Sequence, residues 1–232
     1  MDSVVVNLLK AALMECCSPY FVDMVSCHPL FEWAVREVEE DLQAFAAKDP
    51  ASRGSPDIIA RSYSSFKAVA HYRLARALLT MTKSAPIGCA ELLANVSLIS
   101  YRGKMMSGAE IHPHCQIGRR FVLDHGWSTV IGETAVLGND CYVLGSVTLG
   151  ATGISGNPSG KRHPTLGNRV QIGAFARVFG DVLIGDDVFI GPYCVINQDI
   201  EAGSAVTLKT ELQVTRVPQS IRETNRSLFP AS

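Results

Sequence analysis

The chain has 232 residues with 21 basic and 22 acidic side chains, a formal net charge of −1. That length can bury a sizeable core, and the balanced charge leaves no broad electrostatic footprint for nucleic acid or a membrane surface. Apolar runs such as Ser3–Leu9 fall far short of the ~20 residues needed to cross a bilayer, and the Met-Asp-Ser start lacks the basic n-region of a signal peptide. Seven cysteines without CxxC spacing argue against a disulfide framework. The expectation is a reducing, cytoplasmic protein.

Residues 1–105 read as a helical domain. In "FEWAVREVEEDLQAFAAK", Val35, Val38, Leu42 and Phe45 recur at three- and four-residue intervals while Glu37, Glu40 and Asp41 take other faces. Asp49-Pro50 ends that helix, because proline disfavours helical geometry in the residue before it. A polar stretch with Gly54 and Pro56 follows, and "SSFKAVAHYRLARALLTM" forms a second helix. Pro86 and Gly88 break it ahead of a third, "AELLANVSLI".

Beyond residue 105 the period changes to six. Leu166, Ile172, Val178, Ile184, Ile190 and Ile196 fall on every sixth position, and glycine directly follows four of them. Ile131, Leu137, Val143 and Leu149 keep the same step, as do Ile111, Ile117 and Leu123. A second small or apolar residue occupies the fifth place of each unit, as Ala135, Cys141, Val147, Val170 and Ala176 do. Helices do not repeat every six residues. Three short strands per turn do, with equivalent residues stacked in columns, so residues 106–210 read as a parallel β-helix and 211–232 as a tail.

The register breaks twice. Leu123 to Ile131 spans eight residues and Leu149 to Leu166 spans seventeen, the second gap holding a Gly/Ser/Pro-rich loop at 150–165. Loops on a rigid scaffold are where binding and catalysis concentrate. The polar set at these breaks and beside them is Glu110, Asp124, His125, Glu133, Arg162 and His163. A histidine beside a carboxylate can serve as a general base; Arg162 can fork onto a carboxylate ligand; Asp124 can hold an ammonium. Such a set fits an amino acid with a proton to remove.

Two other chemistries are weaker. Cys115, Cys141 and Cys194 share the buried fifth place, so core packing is favoured over an acyl-cysteine mechanism. His112 and His114 with His125 or His163 suggest a three-histidine zinc site of the gamma carbonic anhydrase type. Their spacings of two and thirteen do not place them in one column, so no metal is expected.

The segments "EIHPHC", "LDH", "VTLGATG" and "RHP", with "AKDPA" and "FKAVAHYRLAR" upstream, resemble the bacterial serine O-acetyltransferases over roughly residues 36–200. The resemblance implies an α+β chain: an N-terminal helical domain followed by a left-handed parallel β-helix of hexapeptide repeats. It implies a homotrimer or dimer of trimers, each active site lying between neighbouring subunits, and an acetyl group passing directly from acetyl-CoA to serine for cysteine biosynthesis. Carried over by position, His125 matches the catalytic base and Glu110 its carboxylate partner. Asp49, Asp124, Arg162 and His163 match acceptor-binding positions, and backbone amides near Ala151 and Ala174 match the acetyl-CoA groove.

Several positions depart from the family pattern. Glutamate replaces aspartate at 110, and Ala151 replaces a glycine, which is costly if positive φ is needed there. Trp127 takes the fifth place, where it fills the corner or narrows the acceptor pocket. The chain ends "SLFPAS" without the terminal isoleucine by which many family members dock into O-acetylserine sulfhydrylase, which speaks against that partnership. The nearest rival reading is the same transfer to another hydroxyl amino acid such as homoserine; a zinc lyase and a non-catalytic scaffold stand further off.

Overall fold

The computed structural model describes residues 3–81, 88–157, 159–209, 211 and 213. Pro86 and the C-terminal "SLFPAS", with the docking expectation drawn from it, lie outside the described residues. Among the described residues six α-helices come first: α1 Val4–Cys16, α2 Pro19–Ser26, α3 Pro29–Lys48, α4 Pro56–Ser62, α5 Ser64–Thr80 and α6 Cys89–Ser107. None is long and apolar enough to cross a membrane.

Helix α3 follows the periodic reading at Val38, Leu42 and Phe45, but Val35 is only half-buried and Asp41, read as lying on a polar face, is fully buried because it pairs with Arg73. Phe31, Ala34, Val38, Leu42 and Phe45 are buried along one side, and Asp49 caps the end with extended geometry before Pro50. The polar stretch that follows is more ordered than composition suggests. Ser55 caps α4 by accepting the Ile58 N–H, with Pro56 preset at the first helical position. There proline starts a helix instead of breaking one. Helix α5 is buried nearly all round, from Ser65 through Leu78, because the other helices and the β-helix enclose it.

Among the described residues fourteen strands of two or three residues follow. The first coil holds β1 Glu110–Ile111, β2 Gln116–Ile117 and β3 Val122–Leu123; the second β4 Val130–Ile131, β5 Val136–Leu137 and β6 Tyr142–Val143. The third holds β7 Thr148–Gly150, β8 Thr165–Leu166 and β9 Gln171–Ile172; the fourth β10 Arg177–Phe179, β11 Leu183–Ile184 and β12 Phe189–Ile190. β13 Val195–Ile196 and β14 Ala205–Val206 close the series. They build three parallel sheets, β1-β4-β7-β10-β13, β2-β5-β8-β11 and β3-β6-β9-β12-β14, the three faces A, B and C of a left-handed β-helix.

The columns are those of the six-residue period. Ile111, Ile131, Leu149, Val178 and Ile196 stack down face A. Ile117, Leu137, Leu166 and Ile184 stack down face B. All thirteen period-six residues are buried, as are Cys115, Cys141 and Cys194. Ile200, four residues after Ile196 and so at a fifth place, is only partly buried.

The glycines have a steric cause. A Cβ on Gly138 would lie 2.5 Å from the Gly167 carbonyl oxygen and 2.6 Å from its carbon. Backbone meets backbone there, so nothing can swing aside. We expect Gly138→Ala to destabilise the chain by about 1–3 kcal/mol, the range for overpacked interiors, read as a lower urea midpoint at unchanged m-value.

Trp127 is a correction. Counting on from Leu123 places it in the buried fifth column, but the corner is two residues longer than its neighbours. The position two before Ile131 is Thr129, which is fully buried, while Trp127 is 70% exposed. Its indole lies against Gly108, where an added Cβ would meet the ring at 2.5 Å. Trp127 therefore does not fill the corner.

The helices close the open end of the β-helix. Ala68, Val69 and Tyr72 of α5 join the same apolar core as Ile111, Cys115 and Ile117. The Tyr72 hydroxyl donates to the Cys115 carbonyl at 2.9 Å and accepts the Ile117 N–H at 3.1 Å. Arg73 donates to the carbonyls of Ile117 at 2.7 Å and Gly118 at 2.6 Å, and its Nε to Asp41 Oδ2 at 2.8 Å. Asp41 Oδ1 accepts the Phe121 N–H at 2.8 Å. Backbone groups of the first coil that have no strand beyond them are thus taken by side chains.

Candidate functional site

The candidate residues fall into two clusters within the chain. The first lies where the α3 terminus and the start of α5 meet the long corner after β3. A cavity of about 290 Å³ is lined there by Asp49, Tyr63, Ser64, Ser65, Asp124 and His125, among others.

Local geometry fixes each side chain. Asp49 caps a 3₁₀ turn at Pro50–Ser52, with Oδ1 accepting the Ala51 N–H at 2.9 Å and Oδ2 the Ser52 N–H at 3.1 Å. Oδ2 also accepts the Tyr63 hydroxyl at 2.7 Å. Burial opposes ionisation, but the Tyr63 hydroxyl, the two amides and the nearby His125 outweigh it and hold the carboxyl below its ordinary range. Asp124 Oδ2 accepts the Tyr142 hydroxyl at 2.9 Å and lies 3.9 Å from His125 Nε2. Burial and then Asp124 push the Tyr142 phenol well up, so it remains a donor.

His125 stands out from this frame. Its ring is 83% exposed, and its backbone is left-handed at φ 60°. Ordinary corners of this solenoid put one left-handed residue three places after the column residue, as Asp140 does after Leu137 and Arg169 after Leu166. The corner after Leu123 has three, His125, Gly126 and Ser128. The two extra residues lift the imidazole out over the cavity. Strain of this kind in a bulky residue persists where surrounding contacts impose it, often at functional sites.

The second cluster lies at the corners after β1 and β4 and at the end of the long loop. Arg162 is ion-paired with Glu133, whose carboxyl it holds below the ordinary range, and also donates to the Gly160 carbonyl at 3.2 Å. The amides of Arg162 and His163 donate to Thr134 Oγ1 at 3.0 and 3.2 Å. His163 Nδ1 accepts the Thr134 N–H at 3.2 Å, so the neutral ring carries its proton on Nε2. Burial first, then Arg162 and Lys161, lower the His163 pKa. The ring lies over Gly132, where a Cβ would fall 2.2 Å from Nε2. Glu110 belongs on this side, sharing a cavity of about 240 Å³ with Lys104, His112 and His114.

Within one chain, then, Asp49, Asp124 and His125 come together, and Arg162 and His163 come together. Glu110 binds Lys104 Nζ at 2.5 Å, and the carboxylate beside His125 is Asp124. Ala151 follows β7 and Ala174 precedes β10, flanking face A from its two ends. Ala151 is not among the residues with positive φ, so the loss of glycine there carries no backbone strain. Tyr63, Tyr142, Lys104 and Thr134 were not singled out from sequence.

Comparison with known proteins agrees with this architecture. Residues 163–198 match a family model described as bacterial transferase hexapeptide (six repeats). A serine acetyltransferase of Helicobacter pylori is 37% identical over 180 residues, covering 78% of this chain and 98% of that relative. The crystal structure of Neisseria gonorrhoeae serine acetyltransferase in complex with serine superposes with a TM-score of 0.72 at 28% identity, covering 90% of this chain and 83% of that one. Soybean serine acetyltransferase complexed with serine gives a TM-score of 0.69 at 31% identity, covering 88% and 82%. With period-six columns, helical cap and paired polar clusters in place, this extent of identity settles the matter: the chain belongs to the serine acetyltransferase family, enzymes of the acyltransferase class.

Proposed function

We propose that the chain transfers an acetyl group from acetyl-CoA to the hydroxyl of L-serine, with His125 as general base. The observation that carries this reading is the Asp49–Asp124–His125 cavity. Two carboxylates, each fixed by a tyrosine hydroxyl, sit beside an exposed imidazole. Two anions fit the serine ammonium. The imidazole takes the hydroxyl proton as that oxygen attacks the thioester carbonyl. The carbon–sulfur bond then breaks, and the leaving thiolate takes the proton back from the imidazolium, giving O-acetylserine and free CoA. A base of this kind contributes on the order of 10²–10⁴ in rate.

The described residues lining the first cluster offer no cation for the serine carboxylate; Arg162 offers it in the second, with the His163 Nε2–H as a neutral donor beside it. In our reading a homotrimer sets the second cluster of one subunit against the first cluster of its neighbour, completing each site between two chains. Glu110 comes with the second cluster and meets the neighbour's His125 there. The backbone near Ala151 and Ala174 at the edges of face A borders the acetyl-CoA groove.

The test is free CoA release with a panel of serine, homoserine and threonine, in the parent and in Arg162→Lys. Lysine keeps the charge but loses the planar fork that matches a carboxylate. We expect serine to give the highest kcat/KM and the variant to raise the serine KM by about tenfold or more, since a hydrogen bond to a charged group is worth about 1.5–3 kcal/mol and about 1.4 kcal/mol is tenfold, with the acetyl-CoA KM unchanged. Preference for homoserine would reassign the acceptor. Equal weakening of both substrates would move Arg162 to the donor site.

A further inference from the structure

His112, His114 and Glu133 form a group that the transfer reaction does not use. Their ligand atoms all lie within 4.8 Å of one another, the only such group of three metal-ligating side chains among the described residues. The solenoid creates it. Ile111 pairs with Ile131, so the corner Gly132–Thr134 stacks one coil above the corner His112–His114. The offset that matters for this pair of corners is therefore twenty residues, the length of the first coil. A comparison of histidines alone, or of offsets in multiples of six, does not find it. The His112 and His114 rings are tilted by 37° with centroids 5.3 Å apart, and His114 is exposed.

We propose that His112, His114 and Glu133 bind one divalent ion of the zinc class per chain. Two imidazoles and a carboxylate with an open fourth position are a ligand set that zinc accepts in tetrahedral geometry. Imidazole selects such borderline metals over magnesium or calcium, which prefer oxygen ligands. Bonding zinc at about 2 Å requires the three side chains to close in by rotamer change. Coordination through His112 Nδ1 gives up the 3.2 Å hydrogen bond it accepts from the His114 amide. The larger consequence concerns Glu133, whose carboxylate is ion-paired with Arg162. A metal taking that carboxylate releases Arg162 and adds a positive charge beside it. The ion therefore acts on acceptor binding, and this part of the proposal rests on the function proposed above.

The experiment uses the full chain stripped of metal with a chelator and then dialysed. Zinc binding is measured by calorimetry in the parent and in His114→Ala, with magnesium as the control ion. We expect one zinc per chain in the parent, affinity at least tenfold weaker in the variant, and no uptake of magnesium. Zinc should also lower the serine KM of the parent at unchanged acetyl-CoA KM, because the freed Arg162 and the added positive charge both favour the serine carboxylate, while His114→Ala keeps its basal CoA release and loses the zinc effect. Equal zinc affinity in parent and variant overturns the site, and so does magnesium uptake equal to zinc. Absence of CoA release from the metal-free parent with serine would instead overturn the proposed function, whatever the zinc result.

Discussion

Replacing His125 by alanine or asparagine is expected to lower kcat for CoA release by at least about 10²-fold, the lower bound for loss of a positioned base. The fold should survive both changes. The ring is exposed and contributes to no core cluster, so the main structural cost is backbone. Alanine at φ 60° is disfavoured by roughly 1–2 kcal/mol, whereas asparagine tolerates the left-handed region. The pair therefore separates chemistry from geometry: both variants lose turnover, and only alanine loses measurable stability. Thermal melts and acetyl-CoA binding check the fold, and steady-state release checks the chemistry. A loss of less than tenfold in the asparagine variant would remove His125 from the role of base.

The largest expected effect on stability lies far from that cavity, at Arg73. Its side chain is buried with Asp41 and holds two carbonyls of the first coil. Removing one partner of a buried ion pair costs about 3–5 kcal/mol. For a chain of this size, Arg73→Ala should lower Tm by roughly 6–20 °C. A second variant separates the ion pair from the backbone clamp. Replacing both partners, Arg73→Met with Asp41→Leu, removes the uncompensated charge, a change that is often close to neutral. Here it also strands the Ile117 and Gly118 carbonyls and the Phe121 amide, each costing about 1–3 kcal/mol when buried without a partner. We expect the double variant to stay destabilised. Recovery of the parent Tm would mean that the ion pair alone matters.

The β-helix was legible in the sequence because its columns are a one-dimensional code: every sixth residue faces inward, and Leu166 through Ile196 write it without interruption. The interruptions located the long corner after β3, which holds the candidate residues Asp124 and His125, and the long loop for the same reason. Reading across an interruption is where the pattern misled. Counting forward from Leu123 reaches Trp127, but the two extra residues shift the inward place to Thr129. Contacts between coils were less visible still. Gly132 under the His163 ring, and Glu133 beside His112 and His114, depend on coil lengths of twenty and twenty-nine residues, which no fixed period supplies. The helical half gave up α3 and α5 to simple periodicity, while α4 hid behind Gly54 and Pro56 because a proline that starts a helix looks like one that ends it. Tyr63 and Tyr142 were out of reach for a different reason. Their roles come from tertiary partners, the carboxylates of Asp49 and Asp124, and not from local pattern.

The side-chain closure over the first coil bears on self-association. A strand with unpaired amides and carbonyls is a template for another chain, and the ends of a parallel β-helix are such edges, since each coil is finished only by the next. Tyr72, Arg73 and Asp41 take the carbonyls of Cys115, Ile117 and Gly118 and the amide of Phe121, while Ala68, Val69 and Tyr72 cover the apolar end. Coil cannot then stack on coil at this end. A chain trimmed to start after α6 would present the bare rim of β1, β2 and β3, and its failure would take the form of end-to-end fibres that lengthen with concentration.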